Sequence, residues 1–376
     1  MIRYVPLAAM LLLAACATTP PIAHEKEGDE KGKEDNLLFS DHQADIPHVV
    51  VKEAWVSVAK PEDNVDSPAS WLQDGKLVVA ATAKSTDQLI IYDGDTGTHL
   101  RTVGTAGKAL GQLNRPNGIA TIDDRYAFVV ERDNHRVQMF ALPDFQPLLV
   151  FAEADLVQPY GLWVRKSGAG YEVVVSDNYT LGEDANGEDI IPPLAELDKR
   201  FRRYQVGQAQ GKWTAKASGH FGDTSEAGAI RVAESVFGDE ANNRLLIAEE
   251  DIPTGTRLRE YTLDGKYAGR DVGVGNYRAQ AEGIALMRCK DGSGWWLASD
   301  QFDDRTVFHL FERKSLQHAG SFVGNVTGLT DGVWLDERGD ARFPKGVFYA
   351  SHLDVAVSAF DWRDIAAALK LPACGH

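Results

Sequence analysis

Residues 280–313 read as one complete unit of a repeating pattern, and that repeat constrains the fold more than any other feature of the chain. A carboxylate, Glu282, stands beside Gly283 and is followed by an apolar strand. A turn rich in Asp and Gly (290–294) leads to a second apolar strand, Trp295-Trp296-Leu297-Ala298, which runs into the polar pair Asp300-Gln301. A third strand, 306–311, precedes Glu312-Arg313. Short apolar or alternating segments punctuated by Gly, Asp and Asn are the pattern of β-structure.

Degenerate copies of this unit start at Asp66-Ser67-Pro68-Ala69, Pro116-Asn117-Gly118-Ile119, Pro159-Tyr160-Gly161-Leu162, Ala233-Glu234-Ser235-Val236 and Thr330-Asp331-Gly332-Val333. The intervals fit a unit of about 45 residues, except one stretched by an insertion around residues 180–200; such a period marks a β-propeller. The expected architecture is all-β: a six-bladed β-propeller of mostly four-stranded antiparallel blades. Residues 49–58 are expected to add the missing outer strand to the last blade, closing the ring and removing its free edges.

Strand polarity then places the polar residues. In an antiparallel pair the start of one strand lies beside the end of the next. An inner set, Asp66, Asn117, Tyr160, Glu234, Glu282 and Asp331, should therefore gather around one mouth of the central channel. A second set, Lys84, Arg132, Asp177, Glu249, Gln301 and His352, should lie just outside it. Charge is segregated around this mouth. Blades four to six carry Glu234, Glu249, Glu250, Asp251, Glu282, Asp300 and Asp331, whereas blades one and two carry Lys84 and Arg132. Carboxylates facing one another do not all ionise cheaply without a cation between them. Oxygen donors without clustered His or Cys favour calcium over zinc or copper. Capping of strands and turns is the competing role for any one of these acids.

The chain has 376 residues and a net charge of −16, which argues against a nucleic-acid partner. An anionic substrate would require the field to be reversed locally. Residues 1–15, with Arg3 ahead of a short apolar run, read as an export signal. The end of that run, Leu13-Ala14-Ala15-Cys16, resembles a bacterial lipobox, in which Cys16 would carry the lipid. Ala17 is not an aspartate, so the expected location is the outer membrane, on its periplasmic or surface side. Residues 16–46 then form a lipidated, solvated tether and 47–376 the propeller. In an oxidising compartment Cys289 and Cys374 are free to pair, although spacing alone does not supply the geometry.

Several segments resemble, in order, the motifs of the β-propeller phytases. Asn64-Val65-Asp66-Ser67-Pro68-Ala69-Ser70-Trp71 looks like that family's opening. Ala281-Glu282-Gly283-Ile284-Ala285, Ala298-Ser299-Asp300-Gln301, Thr330-Asp331-Gly332 and Phe343-Pro344-Lys345-Gly346-Val347-Phe348 look like its later segments. The resemblance spans about residues 48–362. It implies a calcium-dependent phosphomonoesterase acting on inositol phosphates through a metal-activated water, and the chain is expected to be a monomer. Carried over motif by motif, Asp66, Glu234, Glu249, Glu282, Gln301 and Asp331 would be metal or water ligands, and Glu250, from the segregated acids, is counted with them as a metal ligand. Of these, Glu234, Glu282 and Asp331 stand nearest the chemistry. Lys84, Arg132 and Tyr160 would contact phosphate. Two departures stand out: Asp177-Asn178-Tyr179 replaces a Lys-Glu pair, and Gln280 replaces an acid.

Other readings use the same face. Gly111-Gln112-Leu113-Asn114-Arg115-Pro116-Asn117-Gly118, followed by Asn134-His135-Arg136-Val137-Gln138, resembles an NHL repeat, a blade often used for recognition. That favours a non-catalytic binding module. A calcium-dependent lactonase or esterase is the third possibility. The insertion at residues 181–199 is either a lid or a passive loop. His135, His309 and His352 are expected in structural roles. No nucleophile elbow, phosphate-binding Gly loop or paired-His zinc motif is present.

Overall fold

The blades arise from hairpins whose turns the sequence dictates. In the first, Gln73 pairs with Lys76 across Asp74-Gly75, and both turn residues adopt positive φ, the backbone that tight hairpins require. The computed structural model describes residues 45–187, 189–302 and 304–374. The expected signal, Cys16 and the tether lie outside these residues, apart from Asp45 and Ile46. Among the described residues no helix is long and apolar enough to cross a membrane.

Six antiparallel sheets form, each with four consecutive strands ordered from the channel outward except at the seam. Their innermost strands are Val65–Gln73, Pro116–Ile122, Pro159–Ser167, Ala233–Asp239, Gln280–Arg288 and Val333–Asp336, in blades one to six. Each packs beside the next in cyclic order, and the sixth returns to the first. The architecture is therefore a six-bladed β-propeller. Its core is divided among the six interfaces between blades. Trp71, Ile91, Val129 and Phe140 fill the first interface, Phe308, Phe348 and Phe360 the one between blades five and six.

The seam departs from expectation. Trp55–Val56 pairs antiparallel with Ala356–Asp361 and completes blade six. The preceding residues, Val49–Val50, instead pair parallel with His318–Val323 and give blade five a fifth strand. Between them Glu53 accepts hydrogen bonds from the backbone N–H groups of Asn325, Val326 and Thr327 at 2.9–3.1 Å. The N-terminal segment thus clasps two blades. At the other end a disulfide joins Cys289 to Cys374.

A second recurrent device fixes the entry to blades two to six. The last core-facing residue of the second strand turns its side chain onto the backbone N–H groups that precede the innermost strand. Glu131 accepts from Asn114, Asp177 from Val157 and Gln158, Glu249 from Arg231 and Val232, and Asp300 from Arg278 and Ala279. All four are essentially inaccessible. In blade six His352 occupies the position, and its Nδ1 accepts from Gly328 N–H at 3.3 Å. These latches satisfy amides that the strand ladder leaves over. The NHL-like residues serve the same end: Arg136 and Gln138 hold Glu131 and the Gln112 carbonyl.

Burial holds the His352 imidazole below its ordinary pKa of 6.5. The unfolded chain therefore binds more protons, and the stability this group contributes is present above about pH 6.5 and lost as pH falls. Protonated Nδ1 also cannot accept the Gly328 N–H, and an orphaned buried amide costs about 1–3 kcal/mol. Urea denaturation of wild type should show a loss of stability between pH 8 and 5. His352→Gln, whose amide oxygen accepts at any of these pH values, should flatten that loss.

Candidate functional site at the acidic channel mouth

A bulge repeated in blades one to five aims the inner side chains at the channel mouth. Each interrupts the pairing of the first two strands at the same place: Val65/Pro68, Pro116/Ile119, Pro159/Leu162, Ala233/Val236 and Ala281/Ile284. Two residues then oppose one, the local twist rises and the first side chain is re-aimed. The re-aimed residues are Asp66, Asn117, Tyr160, Glu234 and Glu282, and Asp331 is their counterpart in blade six. Hydroxyls of the second strand hold the bulges. Thr82 Oγ1 accepts Ser67 N–H and donates to the Asn117 carbonyl in the next blade. Ser176 does the same for Gly161 and Glu234, and Ser351 accepts Asp331 N–H.

The residue after each of these is Gly or Ser, for a steric reason. A Cβ on Gly161 would stand 2.5 Å from the Glu234 carbonyl oxygen, and one on Gly283 2.7 Å from that of Asp331. This small-residue collar lets neighbouring inner strands approach closely, so the polar side chains just above it converge.

Two groupings result. On the side of blades six and one, Lys84 Nζ lies 3.1 Å from Asp66 Oδ2 and 3.6 Å from Asp331 Oδ2. Gln301 Nε2 donates to the other Asp331 oxygen. Here the chain supplies its own cation. On the side of blades four and five, Glu234, Glu250 and Glu282 each offer one carboxylate oxygen, and these lie within 4.8 Å of one another. All three residues are buried. Two unit charges at that spacing repel by about 3 kcal/mol at an effective dielectric constant of ~20. Gln280, 1% exposed, donates Nε2 to Glu250 Oε1 at 2.6 Å. The carbonyl oxygens of Gln280 and Gln301 have no hydrogen-bond partner among the described residues.

The donor set fits a hard cation. Two oxygens on opposite sides of a calcium ion stand roughly 4.6–5.2 Å apart, given bonds of about 2.3–2.6 Å. Three carboxylates and two orphaned amide oxygens supply oxygen donors only.

Glu249, expected among the cation ligands, instead uses its oxygens on the Arg231 and Val232 amides. Burial pushes its carboxyl up to about 7, against those donors, which favour the charged form. Its neighbour Glu250 is the one that joins Glu234 and Glu282. Asp177 and His352 were likewise assigned to the mouth by sequence spacing and are latches. The residues one step further, Lys84, Arg132, Asn178, Glu250 and Gln301, form the true second set. Asn178 Oδ1 accepts Ala233 N–H at 2.8 Å, and Asp251 caps the turn at Thr254. Arg132 pairs with Asp133 at 2.8 Å, and Tyr160 is nearly buried in the inner ring. Sequence reasoning treated Gln280 as a lost carboxylate and missed it as Glu250's partner.

Hydrazine synthase from Kuenenia stuttgartiensis is similar over 84% of this chain and 82% of its own, at 11% identity and a TM-score of 0.47. The N-terminal part of BBS1, solved in complex with ARL6, is similar over 82% of this chain and 97% of its own, at 12% identity and a TM-score of 0.47. No family model and no curated protein matches the chain. The six-bladed architecture rests on the strand pairing itself.

The two adjacent acids should behave oppositely in chelator. Glu249→Ala orphans buried amides and should lower unfolding free energy by about 2 kcal/mol or more. Glu250→Gln relieves like-charge crowding and should leave metal-free stability equal or higher; paired urea melts check both.

Proposed function

We propose that this propeller is a calcium-dependent phosphomonoesterase acting on inositol phosphates or a related phosphorylated small molecule. The observation that carries the reading is the convergence of Glu234, Glu250 and Glu282 within 4.8 Å on the channel mouth that also holds Lys84, Asp66 and Asp331. The ordered resemblance of five motifs to the β-propeller phytases supports it.

In this reading Glu234, Glu250 and Glu282 hold calcium, with the Gln280 and Gln301 oxygens completing the donors. Bound there, the cation would offset the acidic field and lower the pKa of a coordinated water. The chain's own groups do the rest. Asp331, fixed by Gln301 and Lys84, accepts the proton of the attacking water. Lys84 supplies a point charge, Arg132 a planar fork and Tyr160 a hydroxyl for the phosphoryl oxygens. Water adds to phosphorus, the P–O bond to the alcohol breaks with its electron pair leaving on that oxygen, solvent protonates it while Asp331 returns its proton to solvent, and inorganic phosphate and the free hydroxyl result.

One observation favours a second reading, a calcium-dependent binding module. Asp177 and Asn178 are both engaged with backbone amides, and neither supplies the cation that the resemblance expects there.

Calcium should raise the melting temperature, because it binds only the folded state, and phosphate should be released from phytate with calcium but not with excess chelator. Glu282→Gln should lower that release at least ~100-fold, the scale of losing one preorganised charge. Stabilisation by calcium without phosphate release supports the binding module. Melting that ignores calcium and chelator alike rejects both readings.

A further inference from the structure

Below the collar the channel opens into a separate cavity of about 370 Å³, bounded above by Ser67, Gly118, Gly161, Ser235 and Gly332. None of the acids of the mouth lines it. Its walls include Leu162, Val164, Phe237, Val333 and Leu335, apolar side chains at the centre of the ring that are only partly buried. The Ser235 hydroxyl, at the closed end, has no protein partner among the described residues.

The far rim of this cavity carries charge, but in compensated form. Lys166 Nζ lies 2.8 Å from Asp123, Arg165 3.5 Å from Glu240, Arg288 2.9 Å from Glu337 and Arg338 2.6 Å from Asp124. Each pair joins two different blades. Four cations stand against five carboxylates, the fifth being Asp336 held by Arg338 and Ser70, so the rim has no spare cation to recognise an anion. An ion entering would also face desolvation against aliphatic walls, because the buried carboxylate there, Asp336, is already held by Arg338.

We propose that this cavity is a second ligand site, entered from the face opposite the acidic mouth, that takes an uncharged aliphatic molecule with one terminal hydroxyl or carbonyl. The chain would lie against Leu162, Val164, Val333 and Leu335, with its polar end at Ser235. At ~30 Å³ per water the space holds about twelve. Displacement of those that face the apolar side chains is the driving force. The site is independent of the chemistry at the mouth.

The test is calorimetric titration of the full chain with 1-decanol and with decanoate at pH 8. The expected result is saturable 1-decanol binding of one molecule per chain, with a negative heat-capacity change, and at least ~10-fold weaker binding of decanoate. Val164→Trp, which fills the tube, should abolish it while leaving calcium-induced stabilisation unchanged. Should Val164→Trp fail to fold, Leu335→Phe serves, with at least ~10-fold weaker binding expected. Absence of saturable binding, equal binding of alcohol and carboxylate, or binding untouched by the filling substitutions overturns the proposal.

Discussion

Burial of apolar side chains between neighbouring blades is the interaction on which everything else in this molecule depends. No blade has a core of its own. Each sheet presents two apolar faces and can cover them only by standing between two others, so the six hydrophobic clusters exist together once the ring is closed. That requirement explains the effort spent at the seam, where residues from both ends of the sequence complete blade six.

The ring also explains how an acidic protein gathers acids at one point. Hydrophobic packing brings the blades in, the collar of Gly and Ser lets the innermost strands approach, and the repeated bulge turns one side chain per blade toward the axis. Electrostatic repulsion at the mouth is thereby imposed by the much larger burial energy of the blades. The chain answers it unevenly. Lys84 stands directly against Asp66 and Asp331, whereas in the group of Glu234, Glu250 and Glu282 the Gln280 amide donates to Glu250.

Much of this was legible in the sequence. The repeat length, the blade count and the inner set from Asp66 to Asp331 all follow from periodicity and strand polarity. What escaped was register at the ends of the second strands. A period of two means that one residue of slip exchanges faces, and Glu249-Glu250 offers two identical acids for one role. Only the latch contacts on the Arg231 and Val232 amides decide between them. The bulges were equally invisible, because they insert a residue without any residue type that demands it. The short strands Val49–Val50 and Trp55–Val56 could not be assigned to two blades from their composition. The NHL-like residues around Asn134 and Gln138 mark an internal scaffold as readily as a recognition surface.

The clasp at the seam has a mechanical side. Val49–Val50 lies along the rim of blade five, Glu53 rivets the loop at 325–327, and Trp55 packs at a tilt against Tyr349 in blade six. A pull transmitted along the leading end of the polypeptide would meet these three fastenings in succession before any wedge of the ring is loaded. Slack would be taken up at the periphery, and the tightly packed axis, with its convergent acids, would be shielded from strain.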